Sequence, residues 1–469
     1  MTALAKLSSL EQAYSQAREN FEQIVGYLDS KEASGMTHSE LERELEKKGR
    51  ELMRKLLQEH LNNRGPGQCD PPVEGADGVV RSRMRLQQRE LETVFGTVSV
   101  ERAGYGQQGV ESLHPLDAEL NLPDERYSLE LRRRVAEEAA KSSFDETLES
   151  IGKNTGAHVA KRQVEELVMR AAQDFDAFYQ TRQAMAGDGK GTGSILAISV
   201  DGKGVTMRPQ DLREQTRKAA AARVHKMGTR LSKGEKKNAK RMATVATVYT
   251  VAAFVRTPED VMAESDCTLS RKPRPRPEQK RVWASLEKEP DQVIAQALDE
   301  AFYRDPLGEK TWVALVDGNK PQIRYFKRMA KQNDLDLTLI IDIVHVIEYL
   351  WKAGRVFHPK SGPDLQSWVR YRILEVLRGK AGLVAGGMRR SATRRQLSDE
   401  DREPVDTCAR YLLTYSPYLR YNHYLAKGLP IATGVIEGAC RHLVKDRMDV
   451  TGARWSLIGA EAVLRLRAL

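Results

Sequence analysis

The sequence of 469 residues contains few cysteines and no long apolar run. Its four cysteines, Cys69, Cys267, Cys408 and Cys440, lie far apart and form no CxxC pair. This spacing argues against a disulfide framework or a zinc ribbon, and it predicts a reducing, cytoplasmic environment. No segment approaches the roughly 20 continuous apolar residues that span a bilayer, and the N-terminus lacks a signal-peptide layout. We therefore expect no membrane partner.

The charge is biased towards basic residues, with a formal net charge of +10 at pH 7. Three basic runs stand out, at 216–242, 271–276 and 389–395. Most such runs are solvated faces or loops, but these three flank the carboxylate-bearing strands described below, which favours a nucleic-acid surface. The candidate DNA-binding residues of the first run are Lys236, Lys237, Lys240 and Arg241.

Helix-breaking residues and helix-capping motifs divide the first part of the chain into segments. Residues 1–66 are predicted to be helical, with one helix beginning at the capping box Thr37–Glu40; this region is either a packed cap or a dimerisation hairpin. Residues 67–135 are predicted to contain a β-hairpin that turns near Gly96. A glycine-rich segment at 187–193 lacks the spacing of a phosphate loop and is predicted to be a linker.

Residues 136–186 have the pattern of a helix-turn-helix. A capping box at Ser143 starts one helix, and a turn at 154–156 precedes a second helix that begins near Ala157. In this interpretation Lys161, Arg162 and Gln163 face the DNA major groove. The alternative is an ordinary helical hairpin.

Two later apolar runs each end in an aspartate followed by glycine, at Asp201 and Asp317. We predict that each run is a buried strand with its aspartate at the C-terminal end, where open α/β sheets place ligands. A single Asp-Gly pair is most simply a turn, but two of them in a basic protein favour a site. Glu437 supplies a third carboxylate in Gly434-Val-Ile-Glu437-Gly. Three converging carboxylates require cations between them, and Mg²⁺ prefers oxygen ligands.

Asp342 and His345 lie three residues apart where a predicted strand at 337–341 meets a helix. Asp342 is either a fourth metal-site carboxylate or the N-cap of the helix, and His345 is either a phosphate contact or a core histidine. We further predict a strand at 245–254, a helix at 278–303 and helices through most of 343–425. These elements indicate a mixed α/β core with helical additions.

These residues resemble the DDE transposases of bacterial insertion sequences, most closely the ISKra type, which is related to the Mutator-like group. The resemblance covers roughly residues 85 to 469. Its motifs in chain order are Phe95-Gly-Thr-Val with Arg102 and Tyr105, Pro115-Leu-Asp and Leu122-Pro with Tyr127-Ser128, Val200-Asp201-Gly, Val316-Asp317-Gly, Asp342-Ile-Val-His345 with Tyr349-Leu-Trp351, Gly434-Val-Ile-Glu437-Gly, and Arg441, Lys445, Arg447-Met448, Thr451-Gly452 and Arg454-Trp455.

The resemblance implies a ribonuclease H-like catalytic core, a helical N-terminal region and an all-helical insertion before the catalytic glutamate. Asp201, Asp317 and Glu437 would be the catalytic residues and would bind two Mg²⁺ or Mn²⁺ ions. Asp342 and His345 match a (Cys/Asp)xxH signature. Lys445, Arg447 and Arg454 would hold phosphates or be solvated helix positions. The core would comprise 194–345 and 427–469, and the insertion 346–426.

The implied function is that of a transposase which binds terminal inverted repeats, cleaves DNA strands and transfers them to a target. Its partner is double-stranded DNA, its DNA complex is expected to be a homo-oligomer, and its location is cytoplasmic and nucleoid-associated. The alternatives are a metal-dependent nuclease and a transposase-derived DNA-binding protein without catalysis. The chain ends at Arg465-Leu-Arg-Ala-Leu469, whereas we expect family members to continue further.

Overall fold

The computed structural model describes residues 13–185, 192–222, 239–264, 273–360, 362–432, 434–450 and 452–469. The predicted linker at 187–193 and the basic residues Lys236 and Lys237 therefore lie mostly or wholly outside the described residues. The chain divides into two compact units, Met1–Ala172 and Gln173–Leu469. Within the described ranges, no helix is long and apolar enough to cross a membrane.

The first unit begins with helices α1 (Ser15–Leu28), α2 (Lys31–Ser34) and α3 (His38–Arg64). The capping box that predicted the start of α3 is confirmed, because the Thr37 hydroxyl accepts from the Glu40 amide while Glu40 accepts from the Thr37 amide. Such reciprocal bonds satisfy two donors that the first helical turn leaves open.

The predicted hairpin is also confirmed. Strands β3 (Arg83–Thr93) and β4 (Gly96–Gln107) pair antiparallel across the two residues between Thr93 and Gly96. Leu91, Val98 and Val100 form the centre of a small core on one face of this sheet. The neighbouring short elements are β1 (Val73–Glu74), β2 (Val80–Arg81), β5 (Val110–Leu113) and α4 (Pro115–Glu119).

Helices α5 (Leu129–Lys141), α6 (Phe144–Asn154) and α7 (Lys161–Ala171) complete the first unit and pack against one another. The capping box at Ser143 is confirmed at the start of α6. The second helix of the predicted helix-turn-helix begins at Lys161 rather than near Ala157, so residues 155–160 connect the two helices. Val164, Leu167 and Val168 of α7 are buried, as expected of its inner face.

The second unit is built on a mixed five-stranded sheet in the order β10-β9-β6-β7-β8. Strands β6, β9 and β10 are mutually parallel, whereas β7 is antiparallel to both of its neighbours. The strands are β6 (Ile195–Thr206), β7 (Lys240–Val251), β8 (Glu278–Ser285), β9 (Thr311–Val316) and β10 (Leu337–Ile341). This sheet confirms the mixed α/β class.

The predicted helix over 278–303 is wrong in its first part. Residues 278–285 form the edge strand β8, and helix α11 (Pro290–Arg304) begins only after it. Trp283 and Ala284 are buried where β8 pairs with β7. Pairing with a distant strand decides this conformation, and local sequence does not report it.

Helices surround this sheet on the described part of the chain. The region 343–425 is almost wholly helical, as predicted. The helices are α8 (Phe175–Met185), α9 (Glu214–Ala221), α10 (Pro258–Glu264), α12 (Lys320–Gln332), α13 (Ile343–Phe357), α14 (Pro363–Leu377), α15 (Ala381–Arg394), α16 (Asp399–Thr414), α17 (Tyr421–Ala426), α18 (Gly434–Ala439), α19 (Asp446–Met448) and α20 (Leu457–Arg467). A π-helical turn, Cys440–Lys445, joins α18 to α19.

Candidate active site

Asp201 lies inside a strand and not at its end, which corrects the prediction. Strand β6 continues to Thr206, and Asp201 pairs with Val245 of β7. A Cβ on Gly204 would lie 2.8 Å from the Lys240 side chain on β7, so that side chain packs closely over the glycine. The Asp201-Gly pair is therefore part of a ladder, and the alternative of a simple turn is wrong at this position.

Three aspartates nevertheless come to one edge of the sheet. The parallel ladder between β6 and β9 ends with Ser199 opposite Leu315, and continuing it by two residues places Asp201 level with Asp317. On the other side of β9, Asp342 follows β10 directly, and its amide donates to the Val316 carbonyl at 2.9 Å. Asp317 and Asp342 thus directly follow β9 and β10, and Asp201 lies within the adjacent strand β6 at the corresponding position.

The Asp201 and Asp317 carboxylates are both partly exposed. Asp201 Oδ1 accepts from the Gly202 amide at 2.6 Å, and its Oδ2 accepts from Cys440 Sγ at 3.4 Å. Asp317 Oδ1 accepts from the Asn319 amide at 2.8 Å. These bonds leave oxygen atoms on both side chains that can accept a further ligand.

Asp342 is the N-cap of α13, as one of the two sequence interpretations proposed. Its Oδ1 accepts from the Val344 amide at 2.8 Å, and the residue is 2% exposed. His345, on the first turn of α13, is half-buried and its Nδ1 lies 3.9 Å from Glu348 Oε2.

Glu437 is on the short helix α18 and is exposed. Partial burial raises the pKa of its carboxyl, and the charges of Asp342 and Asp201 raise it further, whereas His345 lowers it. Helix α18 contacts β6 and β7, so Glu437 lies on a helix packed against the strand that carries Asp201. Like charges gathered in this way favour either a bound proton or a cation.

Cys440 is a site residue that the sequence interpretation missed. Its thiol reaches Asp201, and it lies three residues after Glu437, so both can point to the same side of one helical path. Burial and the Asp201 charge raise the pKa of this thiol, so it stays protonated and donates. The three-residue spacing from Glu437 was the signal that could have found it.

Tyrosines of the helical insertion were also missed. The Tyr411 hydroxyl donates to the Asp317 carbonyl at 2.9 Å, and Tyr415 donates to the next carbonyl, that of Gly318. The Tyr421 hydroxyl donates to the Ile341 carbonyl at 2.8 Å, one residue before Asp342. Burial raises the pKa of all three hydroxyls, which keeps them protonated as donors. No short sequence pattern links these positions to the aspartates.

The oxygen donors of the site suit a hard divalent cation, which prefers carboxylates to sulfur or imidazole. Among the described residues, however, no three His, Cys, Asp or Glu side chains are grouped closely enough to hold a metal ion in this conformation. The donor chemistry fits a cation, whereas a closed set of ligands would require the carboxylates to move together.

The basic residues predicted after Glu437 differ from one another. Lys445 and Arg454 are exposed, so both are accessible to phosphates. Arg447 is 2% exposed, and its guanidinium lies 4.7 Å from the centre of the Trp455 ring. In this conformation Arg447 packs in the core and does not reach solvent.

Two residues of the first basic run are described, and each has a partner within the protein. The Lys240 ammonium lies 3.9 Å from Asp449, and Arg241 Nε donates to the Leu286 carbonyl at 2.8 Å. Burial lowers the pKa of Arg241. Arg241 is therefore engaged with the main chain beside β8.

The three residues predicted to face DNA in the first unit occupy the first turn of α7. Lys161 and Arg162 are exposed, and Gln163 is half-exposed. Lys161 pairs with Asp145 of α6 at 2.6 Å, while Arg162 and Gln163 both contact Glu166. The N-terminal turn of a recognition helix is where base contacts are made in helix-turn-helix proteins, although the connection here is longer than their usual turn.

No protein-family model matches this chain, and no curated protein has a matching sequence. The assignment of this site therefore rests on its residues and their geometry.

Proposed function

We propose that the protein is a DDE transposase that cleaves and joins DNA strands at the ends of an insertion sequence. One observation supports the proposal: Asp201 and Asp317 each lie two residues beyond the last paired residues of the parallel β6–β9 ladder, and helix α18, which carries Glu437, contacts β6 and β7. Carboxylates so placed can hold the cations that phosphodiester chemistry requires.

The sheet supports a ribonuclease H-like core. Counted along the second unit, the strands stand in the order third, second, first, fourth, fifth, with the second antiparallel to the others. The candidate aspartates belong to the first and fourth strands, and the helices of the insertion precede the glutamate, as the resemblance implies.

Asp201, Asp317 and Glu437 would hold two Mg²⁺ or Mn²⁺ ions. Bound metal would activate a water molecule or a 3′-hydroxyl and would stabilise the leaving oxygen. The protein side chains then need only supply negative charge and fixed positions, and none has to act as a nucleophile. Asp342 and His345 border this site as accessory residues, with Asp342 already bonded to the start of α13.

The other parts of the molecule would bind DNA. Helix α7 of the first unit would contact the terminal inverted repeats through Lys161, Arg162 and Gln163. The net charge of +10 favours association with the DNA backbone. Pairing of two element ends would require a homo-oligomer on double-stranded DNA, at the bacterial nucleoid.

The test uses the full chain, Mg²⁺ and labelled duplexes carrying the inverted repeats that flank its gene. The proposal expects cut ends and products joined to target DNA. Asp201→Asn, Asp317→Asn and Glu437→Gln should each lower cleavage on the order of a hundredfold or more, because each removes a carboxylate charge that would hold the catalytic cations. End binding should persist in all three variants.

Asp336→Asn is the matched control, because this exposed aspartate precedes β10 at the end of the strand opposite Asp342. It should leave cleavage unchanged. Cleavage that survives all three active-site substitutions would contradict the proposal. Ends that are cut but never joined would indicate a nuclease, and a bound but intact duplex would indicate a DNA-binding protein without catalysis.

A further inference from the structure

A second concave site lies on edge strand β8, at the opposite side of the sheet from β10. Its cavity of about 460 Å³ is enclosed by β8, α8, α11 and the end of α20. Cavities of roughly 300–1,000 Å³ accommodate small ligands. Strand β7 separates β8, which lines the cavity, from β6, which carries Asp201. The cavity and the carboxylates are therefore separate sites.

The lining is strongly basic. Among the described residues that line the cavity, Glu300 is the sole side-chain carboxylate. Five arginine and lysine side chains line the same cavity, so its lining carries a clear excess of positive charge. The basic lining residues are Arg182, Lys280, Arg281, Arg304 and Arg467, together with His442.

Two of these arginines form a fixed floor around Glu300. Arg281 donates to one carboxylate oxygen, and Arg304 donates to the other at 2.6 Å. The Arg281 guanidinium also lies 3.8 Å from the centre of the Tyr179 ring, a second contact that orients it. One buried carboxylate thus orients two guanidinium groups, and the exposed Arg182 and Lys280 lie at the rim.

A break in strand pairing shapes the rim. Between Val248 and Thr250 of β7 the partner strand β8 contains one extra residue, and Gln279 there adopts a φ of +47°. The Gln279 carbonyl accepts from Arg304, so a residue of the floor supports this bulge. Bulges of this kind commonly redirect side chains beside binding sites. Here the bulge brings the Gln279–Lys280 segment to the cavity.

We propose that this cavity binds the phosphate groups of a nucleotide, either as a free nucleotide or as one unit of a DNA strand. Arg281, Arg182 and Lys280 would contact phosphate oxygens through charge-assisted hydrogen bonds. Arg304 already donates to Glu300 and to the Val248 and Gln279 carbonyls, so it would contribute mainly charge. The excess of positive charge excludes a cation, and the volume exceeds what inorganic phosphate alone would fill. The proposal does not depend on the transposase assignment.

The experiment measures binding of two probes to the full chain: a fluorescent ATP analogue and a short labelled duplex of arbitrary sequence. The test variant is Arg182→Glu with Lys280→Glu, two exposed rim residues whose reversal leaves the buried floor intact. The matched control is Arg324→Glu with Lys331→Glu, two exposed positions of α12. Both double variants change the net charge equally, so a non-specific charge effect is common to both.

A fall in affinity for the ATP analogue of about tenfold or more in the rim variant alone would support a free-nucleotide site. A similar fall restricted to the duplex, with a shallower salt dependence, would support a DNA-strand site. Equal affinities of the rim variant and the control for both probes would overturn the proposal. Both readouts are affinities and do not require strand cleavage, which separates failure of this inference from failure of the proposed function.

Discussion

Glu461 is a buried carboxylate that accepts hydrogen bonds at the C-terminal end of the edge strand β8. It lies on α20, is 4% exposed, and accepts from the Ser285 hydroxyl at 2.8 Å and from the Leu286 amide at 2.7 Å. The Glu461 side chain therefore satisfies a side-chain hydroxyl and a main-chain amide at the C-terminal end of β8. Burial raises the pKa of the Glu461 carboxyl despite these bonds.

We predict that Glu461→Ala lowers the free energy of unfolding by about 1–3 kcal/mol, since it leaves buried donors without an acceptor. Urea denaturation followed by circular dichroism measures this change. Glu287→Ala, which removes an exposed carboxylate two residues after the end of the same strand, should have a much smaller effect. An equal loss in both variants would contradict the assigned role of Glu461.

The same residue gives a pH dependence of known sign. Its pKa in the folded protein lies above the ordinary value of 4.5, so the folded state holds the proton more tightly than the unfolded state. Stability from this group is present below 4.5 and is lost as the pH rises through the folded pKa. Relative to Glu461→Gln, the wild type should therefore lose stability as the pH rises from 4.5 through the folded pKa. An increase in its free energy of unfolding over this pH range would contradict the prediction.

At the scale of elements, the helical insertion fixes the turns that follow β9 and β10. Tyr411 and Tyr415 of α16 and the turn after it bond the carbonyls of Asp317 and Gly318, and Tyr421 of α17 bonds that of Ile341. The insertion is therefore joined by hydrogen bonds to the main chain of two candidate catalytic strands. In the proposed transposase these tyrosines are positioning residues.

We predict that Tyr411→Phe raises the Mg²⁺ concentration needed for half-maximal cleavage and lowers the rate by roughly tenfold, because small displacements of reacting groups are costly. The fold should lose only about 0.5–1.5 kcal/mol, the net value of one hydrogen bond. Tyr424→Phe is the control, since its hydroxyl is 3.5 Å from the Leu339 carbonyl, farther from the aspartates. An unchanged Mg²⁺ requirement in Tyr411→Phe would contradict the positioning role.

Helix starts and strand bounds differ in how well local sequence predicts them. Capping boxes at Thr37 and Ser143 predicted two helix starts correctly, because their bonds join residues three apart. Strand β8 was missed because its conformation depends on pairing with β7, and the end of β6 was misplaced because that strand continues along the same partner. The tyrosine contacts with the site escaped for the same reason: each joins residues 80 or more positions apart.

At the scale of the whole molecule, the two compact units carry separate parts of the proposed function. The candidate recognition residues belong to Met1–Ala172, and every candidate catalytic carboxylate belongs to Gln173–Leu469. Local pattern and resemblance predict both groups from the sequence. Their division into two units depends on contacts along the whole chain, which no local pattern reports.

We predict that Arg162→Ala with Gln163→Ala weakens binding of the inverted repeats by about tenfold or more, since each base contact contributes about 1–3 kcal/mol. Binding to unrelated DNA should change much less. Arg133→Ala, which removes an exposed cation from the neighbouring helix α5, is the control. Electrophoretic mobility shifts measure both affinities, and an equal loss on specific and unrelated DNA would contradict base recognition by α7.

The level placement of Asp201 and Asp317 has a consequence for how related chains should align. Each aspartate lies six residues beyond a paired position, Ile195 on β6 and Thr311 on β9. A one-residue insertion within either stretch would shift its carboxylate by about 3.3 Å and turn it to the other face of the sheet. The 116 positions that separate the two aspartates do not enter the register. Gaps in an alignment should therefore fall between these strands and never inside the two six-residue stretches.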